Sequence, residues 1–257
     1  MDATVATLRK LTRWQASGLH LLICAGIATV TISVLLLVWY PRPLFEAAGG
    51  SGLLFILIGV DVMIGPLITL IVFKPGKPGL RFDLCVIAIL QLSALIYGVN
   101  VTFAARPVFI ALVNGQFEVV SAVDVLPREL AQARRPEFRR LPVTGPVLVY
   151  SDLTESERKV AVTNFLMGGG PDLQQLPKFY IPYAERTKEA LAQAKPLDHA
   201  RRVWPEARQP IDQFLAESGH QASEVVYLPG RAPYGWITAL LDAKTGEVLK
   251  FVLVPDA

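Results

Sequence analysis

The sequence predicts a membrane protein in two parts: three apolar helices first, then an α+β domain outside the lipid with helices on an antiparallel sheet. Apolar residues make up 52% of the 257 and the mean hydropathy is +0.41, more than an ordinary soluble chain of this length carries. Stretches of about twenty residues free of Lys, Arg, Asp and Glu all lie before Arg106. Charge divides at the same point. Residues 1–104 hold seven basic residues (Arg9, Lys10, Arg13, Arg42, Lys74, Lys77, Arg81) and four acids (Asp2, Glu46, Asp61, Asp83), which leaves 18 of each sign in 105–257. The pI of 8.9 therefore reports charges flanking a membrane and implies no nucleic-acid partner.

Leu19–Tyr40 and Leu84–Phe103 are uncharged, and Gly52–Phe73 is broken by Asp61 alone. Each is long enough to cross a hydrocarbon core of roughly 30 Å at about 1.5 Å per residue. The expected spans are 19–40, 52–73 and 84–103, giving a transmembrane region over 1–104 and a periplasmic domain over 105–257. The first run exceeds a signal-peptide core of ~7–15 residues and ends in Trp39-Tyr40-Pro41, not in small residues, so it is read as a retained anchor. Arg9, Lys10, Arg13, Lys74, Lys77 and Arg81 flank one side, and only Arg42 and Arg106 the other. The positive-inside rule then puts the N-terminus in the cytoplasm and the C-terminal domain in the periplasm of a bacterial inner membrane.

An acid near the bilayer midplane costs a few kcal/mol unless it faces protein, is paired or is protonated. Asp61 has two readings of equal weight, an interhelical polar clamp or a site that holds a polar group of a partner helix. Thr29, Ser33, Ser93 and Tyr97 lie at matching depth as hydrogen-bonding partners. Gly59, Gly65 and Pro66 allow close approach and a kink. With Gln91 and with Arg106 at the membrane exit, these give the candidate residues Asp61, Gly59, Gly65, Pro66, Tyr97, Gln91 and Arg106. An aspartyl-protease dyad needs two carboxylates at one depth, and Asp83 lies about 18 Å away along the bilayer normal by residue count. Cys24 and Cys85 fall in apolar segments and read as small buried residues.

Beyond Arg106 the pattern changes. Phe109–Val120 predicts a hairpin around Asn114-Gly115, pairing Leu112 with Phe117 and Ile110 with Val119 on a core face and Ala111 with Glu118 on the other. A strand at Pro146–Ser151 follows an arginine-containing segment (Arg134, Arg135, Arg139, Arg140) read as a solvated face. Thr154-x-x-Glu157 opens a helix to about Met167, stopped by Gly168-Gly169-Gly170. Helices over Tyr183–Lys195 and Pro205–Ser218, a strand over Glu224–Leu228 and a hairpin of Trp236–Asp242 with Glu247–Val254 complete the prediction. His20, His199 and His220 have no metal spacing, the glycine run lacks a phosphate-loop lysine, and no nucleophile motif occurs, so no cofactor, metal or catalytic residue is assigned. Tyr180, Tyr183, Trp204, Tyr227, Tyr234 and Trp236 read as core before they read as a binding patch.

WYPRPLFEAAGG (Trp39–Gly50), LIGVDVMIGPLITLIVF (Leu57–Phe73), RFDL (Arg81–Leu84), LQLSALIYG (Leu90–Gly98) and Ala105-Arg106-Pro107 together resemble the type IV pilin accessory proteins of the TfpX/TfpZ family, in order and over roughly the first 110 residues. The resemblance implies an inner-membrane protein without established enzymatic activity that modulates assembly or stability of its cognate type IV pilin; as a chaperone-like binding partner it would meet the pilin's transmembrane helix through Asp61, Gly59, Gly65 and Pro66 and the pilin's periplasmic head through residues 105–257. YGWITALLDAKTGEVLKFV is similar to the last hairpin of PepSY-like modules, which sustains an alternative: a membrane-anchored binding, sensor or protease-inhibitory module. Against a sensor, few residues lie on the cytoplasmic side to carry an output.

Overall fold

The computed structural model describes residues 11–50, 52, 54 and 59–254. The chain separates into two compact units, one of residues 1–37 and 50–103 and one of Val38–Gly49 with 104–257.

In the first unit, helix α1 (Arg13–Val34) starts from a capping box in which the Thr12 hydroxyl accepts from the Gln15 N–H and the Gln15 amide oxygen accepts from the Thr12 N–H. It runs on through a π-helical turn, Leu35–Trp39. Helix α4 (Leu80–Ala105) is of similar length. Among the described residues these two, Arg13–Trp39 and Leu80–Ala105, are the helices long and apolar enough to cross a membrane. Leu22, Val30, Ile89 and Leu90 stand more than 60% exposed, a surface suited to lipid and not to water. The expectation of three spans is corrected here. The middle segment gives a π-helical turn, Gly59–Ile64, followed by helix α3, Gly65–Val72, and its apolar helix Asp61–Val72 is too short. Counting uncharged residues at α-helical rise takes no account of a turn that widens at Gly59 and meets Pro66, which has no N–H for the ladder. The expected start of that span, over 51, 53 and 55–58, lies outside the described residues. The N-terminal end of α1 meets the far end of the middle segment, where Ala16, Phe73 and Leu80 bury one another.

The second unit is built on an eight-stranded sheet in the order β4-β3-β1-β2-β6-β7-β8, with β5 alongside β6. The strands are β1 Pro107–Val113, β2 Gln116–Ser121, β3 Val147–Ser151, β4 Tyr180–Pro182, β5 Lys195–Pro196, β6 Val225–Ala232, β7 Gly235–Asp242 and β8 Val248–Val254. The hairpin register is as expected, Leu112 opposite Phe117, Ile110 opposite Val119, Ala111 opposite Glu118, and Asn114 and Gly115 both take positive φ, 51° and 76°, as a two-residue hairpin turn needs. The expectation of an antiparallel sheet is corrected: β1 pairs β3 and β2 pairs β6 in parallel, so the sheet is mixed. Local turn chemistry predicts each hairpin, but nothing local says how hairpins join side by side.

The sheet is covered on both faces. Phe109, Ala111 and Val113 of β1 enter one cluster and Ile110 and Leu112 another, which is why all seven residues of β1 are buried where one core face was expected. Helix α5 (Pro127–Ala131) adds Leu130 to the first cluster, and helix α6 (Glu155–Gly168), which begins with the predicted Thr154 capping box and ends at left-handed Gly169, adds Ala161. Helices α8 (Leu197–Val203) and α9 (Arg208–Ser218) cover β6–β8 through Leu197, Ala200, Ile211 and Phe214. Over the other face lie Tyr183, Ala190 of helix α7 (Thr187–Gln193) and, unexpectedly, Leu44 and Ala47 of the short helix α2, Leu44–Ala47. The WYPRPLFEAAGG segment, expected inside the transmembrane region, is thus part of the sheet unit. Of the six aromatic residues, Tyr180, Tyr183 and Tyr227 are buried, Trp204 and Trp236 pack half-buried, and Tyr234 is 79% exposed. Arg134 pairs with Glu157 and Arg135 with Glu185 at 2.6 Å, so these arginines belong to surface ion pairs.

Candidate functional site

Several polar residues of the first unit converge on one place. The π-helical turn Gly59–Ile64 shifts backbone pairing by one residue, and the N–H that a π register would offer Asp61's carbonyl is at position 66, a proline. The side chain of Gln91 on α4 supplies the donor instead: its Nε2 lies 3.1 Å from the Asp61 carbonyl oxygen and 3.6 Å from Cys24 Sγ on α1. Gly65 makes this reach possible, since a Cβ there would stand 2.0 Å from Gln91 Nε2. A carbonyl can only accept, so the amide nitrogen must face Asp61, and Gln91 Oε1 points elsewhere.

Two further bonds fasten α3 to α1. Ser17 donates to the Pro66 carbonyl at 2.8 Å, and the His20 ring Nδ1 and Thr69 hydroxyl meet at 2.6 Å. Beside this seam is a cavity of about 240 Å³ whose lining is almost wholly apolar, formed by Ile23, Ile27, Ala88, Leu92 and Leu95 together with Asp61 and Gln91, among others. Asp61 Oδ1 and Gln91 Oε1 are buried and have no hydrogen-bond partner among the described residues. Two acceptors in an apolar surround, one of them on a carboxylate, make a site of unmet polarity.

The candidate residues divide as follows. Asp61, Gln91, Gly65 and Pro66 come together. Among the described residues nothing lies within 4 Å of a Cβ at Gly59, and Tyr97 is 74% exposed. Thr29 and Ser33 donate to the carbonyls of Ala25 and Thr29 in their own helix, each at 2.8 Å, so they do not serve Asp61. Asp83 is paired with Lys77 at 2.6 Å. Cys24 is buried as expected, but Cys85 is exposed. Arg106 belongs to the sheet unit, buried, with its guanidinium on the Pro142 carbonyl at 3.0 and 3.3 Å. Burial pushes the neighbouring Tyr40 hydroxyl up to about 12 against the pull of Arg106. Among the described residues no cluster of three or more His, Cys, Asp or Glu could hold a metal. The crossings of Ser17, His20 and Gln91 were visible in the sequence only as isolated polar residues in apolar runs.

A polar pocket also opens on the sheet unit, where Glu118, Asp124, Asp172 and Arg231 line a space of about 400 Å³. Burial first, then Asp172, raises the Glu118 carboxyl to about 7 while Arg231 and the Gln116 amide pull it down.

Comparison with known proteins assigns the chain. The family model described as Fimbrial assembly protein FimB matches residues 8–49, a range that includes α1 and the Val38–Gly49 part of the sheet unit. The chain is 32% identical over 220 residues to "Fimbrial assembly protein, serogroup I" of Dichelobacter nodosus, with 84% of each chain covered. The serogroup E1 protein of that organism gives the same identity and coverage. The protein of serogroups C1 and C2 is 36% identical over 121 residues, 46% of this chain and 92% of that one. No solved structure matches. These matches bear out the resemblance to pilus-assembly accessory proteins at the level of the family, without the narrower TfpX/TfpZ name. With identity above 30% over most of its length, the chain belongs to the fimbrial assembly protein family.

Proposed function

We propose that this chain is an inner-membrane accessory protein of fimbrial assembly that binds its cognate type IV pilin before the pilin enters the fibre. The observation that carries the reading is the extent of the likeness to fimbrial assembly proteins, 84% of the chain. The physical support is a chain with two partner-accessible parts. Its apolar unit holds a cavity with unmet acceptors, and its second unit is a folded domain. A pilin in the membrane offers a matching pair, a hydrophobic helix and a soluble head. The orientation proposed for the chain puts Arg13, Lys74, Lys77 and Arg81 in the cytoplasm and the sheet unit in the periplasm, by the bias of basic residues. Val38–Gly49 and 104–257 belonging to one unit supports a single side for both.

Deleting the gene tests the reading: pilin should still be made while surface pili fall, and the full chain should restore them. Normal piliation in the deletion strain would overturn it.

A further inference from the structure

We infer that the cavity beside Asp61 and Gln91 is a binding site for a protonated amine carried into the bilayer by a membrane-crossing helix of a partner protein. The inference rests on the proposed pilin-binding function and names the chemistry by which the site within the membrane would recognise its partner.

The cavity's shape and its polarity point to one class of occupant. Its walls are apolar side chains of α1 and α4, among them Ile27, Ala88 and Leu92, yet two buried acceptors, Asp61 Oδ1 and Gln91 Oε1, have no donor among the described residues. An occupant must therefore bring N–H or O–H groups. A cation is the occupant that lets Asp61 ionise in lipid, where an unpaired carboxylate would otherwise take up a proton. An ammonium offers three N–H donors on a compact charge and can serve two acceptors at once. Gln91 is held for this role, because its amide nitrogen is engaged by the Asp61 carbonyl at 3.1 Å and its oxygen is left for a second partner.

Depth selects the carrier. Cys24, the α1 residue in contact with Gln91, and Gln91 itself lie within two residues of the midpoints of the apolar helices Arg13–Trp39 and Leu80–Ala105. That is near the middle of a hydrocarbon core of roughly 30 Å, beyond a lipid headgroup amine. A second copy of this chain does not supply the cation either. Its runs Leu19–Tyr40 and Leu84–Phe103 hold no lysine or arginine, and Gly52–Phe73 holds only Asp61 as a charge. The amine must come on a different membrane-crossing segment.

The test uses the full chain in phosphatidylcholine nanodiscs and two labelled leucine-rich transmembrane peptides, identical except for a central lysine in one and a leucine in the other, with binding read by energy transfer. The lysine peptide should bind at least tenfold tighter than its leucine counterpart. Asp61→Asn should reduce that preference to under threefold. Ala88→Leu, which fills the cavity and leaves both acceptors, should weaken lysine-peptide binding tenfold, so the test survives should Asp61→Asn fold poorly. Equal binding of the two peptides, or a preference that persists in both variants, overturns the inference. Loss of the preference when phosphatidylethanolamine replaces phosphatidylcholine would assign the site to a lipid amine and also overturn it. Because no pilin is present, a positive result here beside normal piliation in a deletion strain would uphold the cavity and reject the pilin reading.

Discussion

The backbone N–H of Tyr234, in the turn between β6 and β7, donates to the carbonyl of Ala47 at 3.0 Å, tying the segment that follows α1 to the sheet unit. The Tyr234 ring lies over Gly49, where a Cβ would stand 3.0 Å from it, and Leu44 and Ala47 are sealed into the core at 3% and 1% exposure. The chain therefore passes between the two units three times, at 37/38, 49/50 and 103/104.

Leu44→Ala should destabilise the sheet unit by about 2–5 kcal/mol, the usual cost of truncating a buried leucine. Denaturant unfolding of the full chain in mild detergent, followed by the fluorescence of Trp204 and Trp236, measures it. An unchanged midpoint would mean that α2 is not part of that core.

Gly65 and Gly59 should respond oppositely to alanine. At Gly65 a methyl would displace the Gln91 amide from the Asp61 carbonyl and so cost about 1 kcal/mol, one hydrogen bond, rather than a severe clash, because Gln91 is flexible. At Gly59 no described residue stands in the way, and alanine should be neutral or stabilising by up to about 1 kcal/mol. Adding Gln91→Ala to Gly65→Ala should recover little further loss, and a double-mutant cycle by thermal unfolding in detergent reads the coupling.

Gly246→Ala meets a harder constraint. Gly246 sits at φ +74°, and a Cβ would come 2.6 Å from the Thr187 carbonyl, backbone that cannot swing aside, while its own carbonyl accepts from the Tyr183 hydroxyl at 2.7 Å. Left-handed strain and crowding together should cost roughly 2–4 kcal/mol, against about 1 kcal/mol for Tyr183→Phe. Circular-dichroism melts compare the two.

Stability should fall as pH rises from about 4.5 to about 7. Burial holds the Glu118 carboxyl at about 7 in the folded chain against 4.5 in the unfolded one, so the folded state binds the extra proton across that window and releasing it weakens the fold. The groups facing it are Arg231, Asp172, Asp124 and Gln116. Since Glu118 is only partly buried, the loss should be on the order of 1–2 kcal/mol after screening. Glu118→Gln should flatten it, as read from denaturation midpoints at pH 5 and pH 8.

Much of the sheet unit was legible in the sequence because its signals are local. Asn114-Gly115 sets one hairpin, Thr154 and Glu157 start α6, and Asp242 caps the last turn by accepting from the N–H groups of Lys244 and Thr245 at 2.8 and 2.7 Å. The parallel joins were not legible, since the pairing of Phe117 with Gly230 connects residues far apart in sequence through no turn. Nor was the placement of Leu44 and Ala47, whose apolar character fits lipid and protein core alike. In the other unit Asp61 marked the site, but its neighbour could not be chosen by depth alone. Ser93 and Tyr97 matched the level, whereas Gln91, two residues before Ser93, has the length to cross to the Asp61 carbonyl.

The measurement that bears most directly on the account is photocrosslinking in cells that make pilin, with a photoreactive residue at Leu92, which lines the cavity, and at Leu90, which lies on the far side of the same helix. Pilin should be captured at Leu92, weakly or not at all at Leu90, and the Leu92 product should disappear with Ala88→Leu. Capture at neither position, or equally at both, would contradict a pilin site in this cavity.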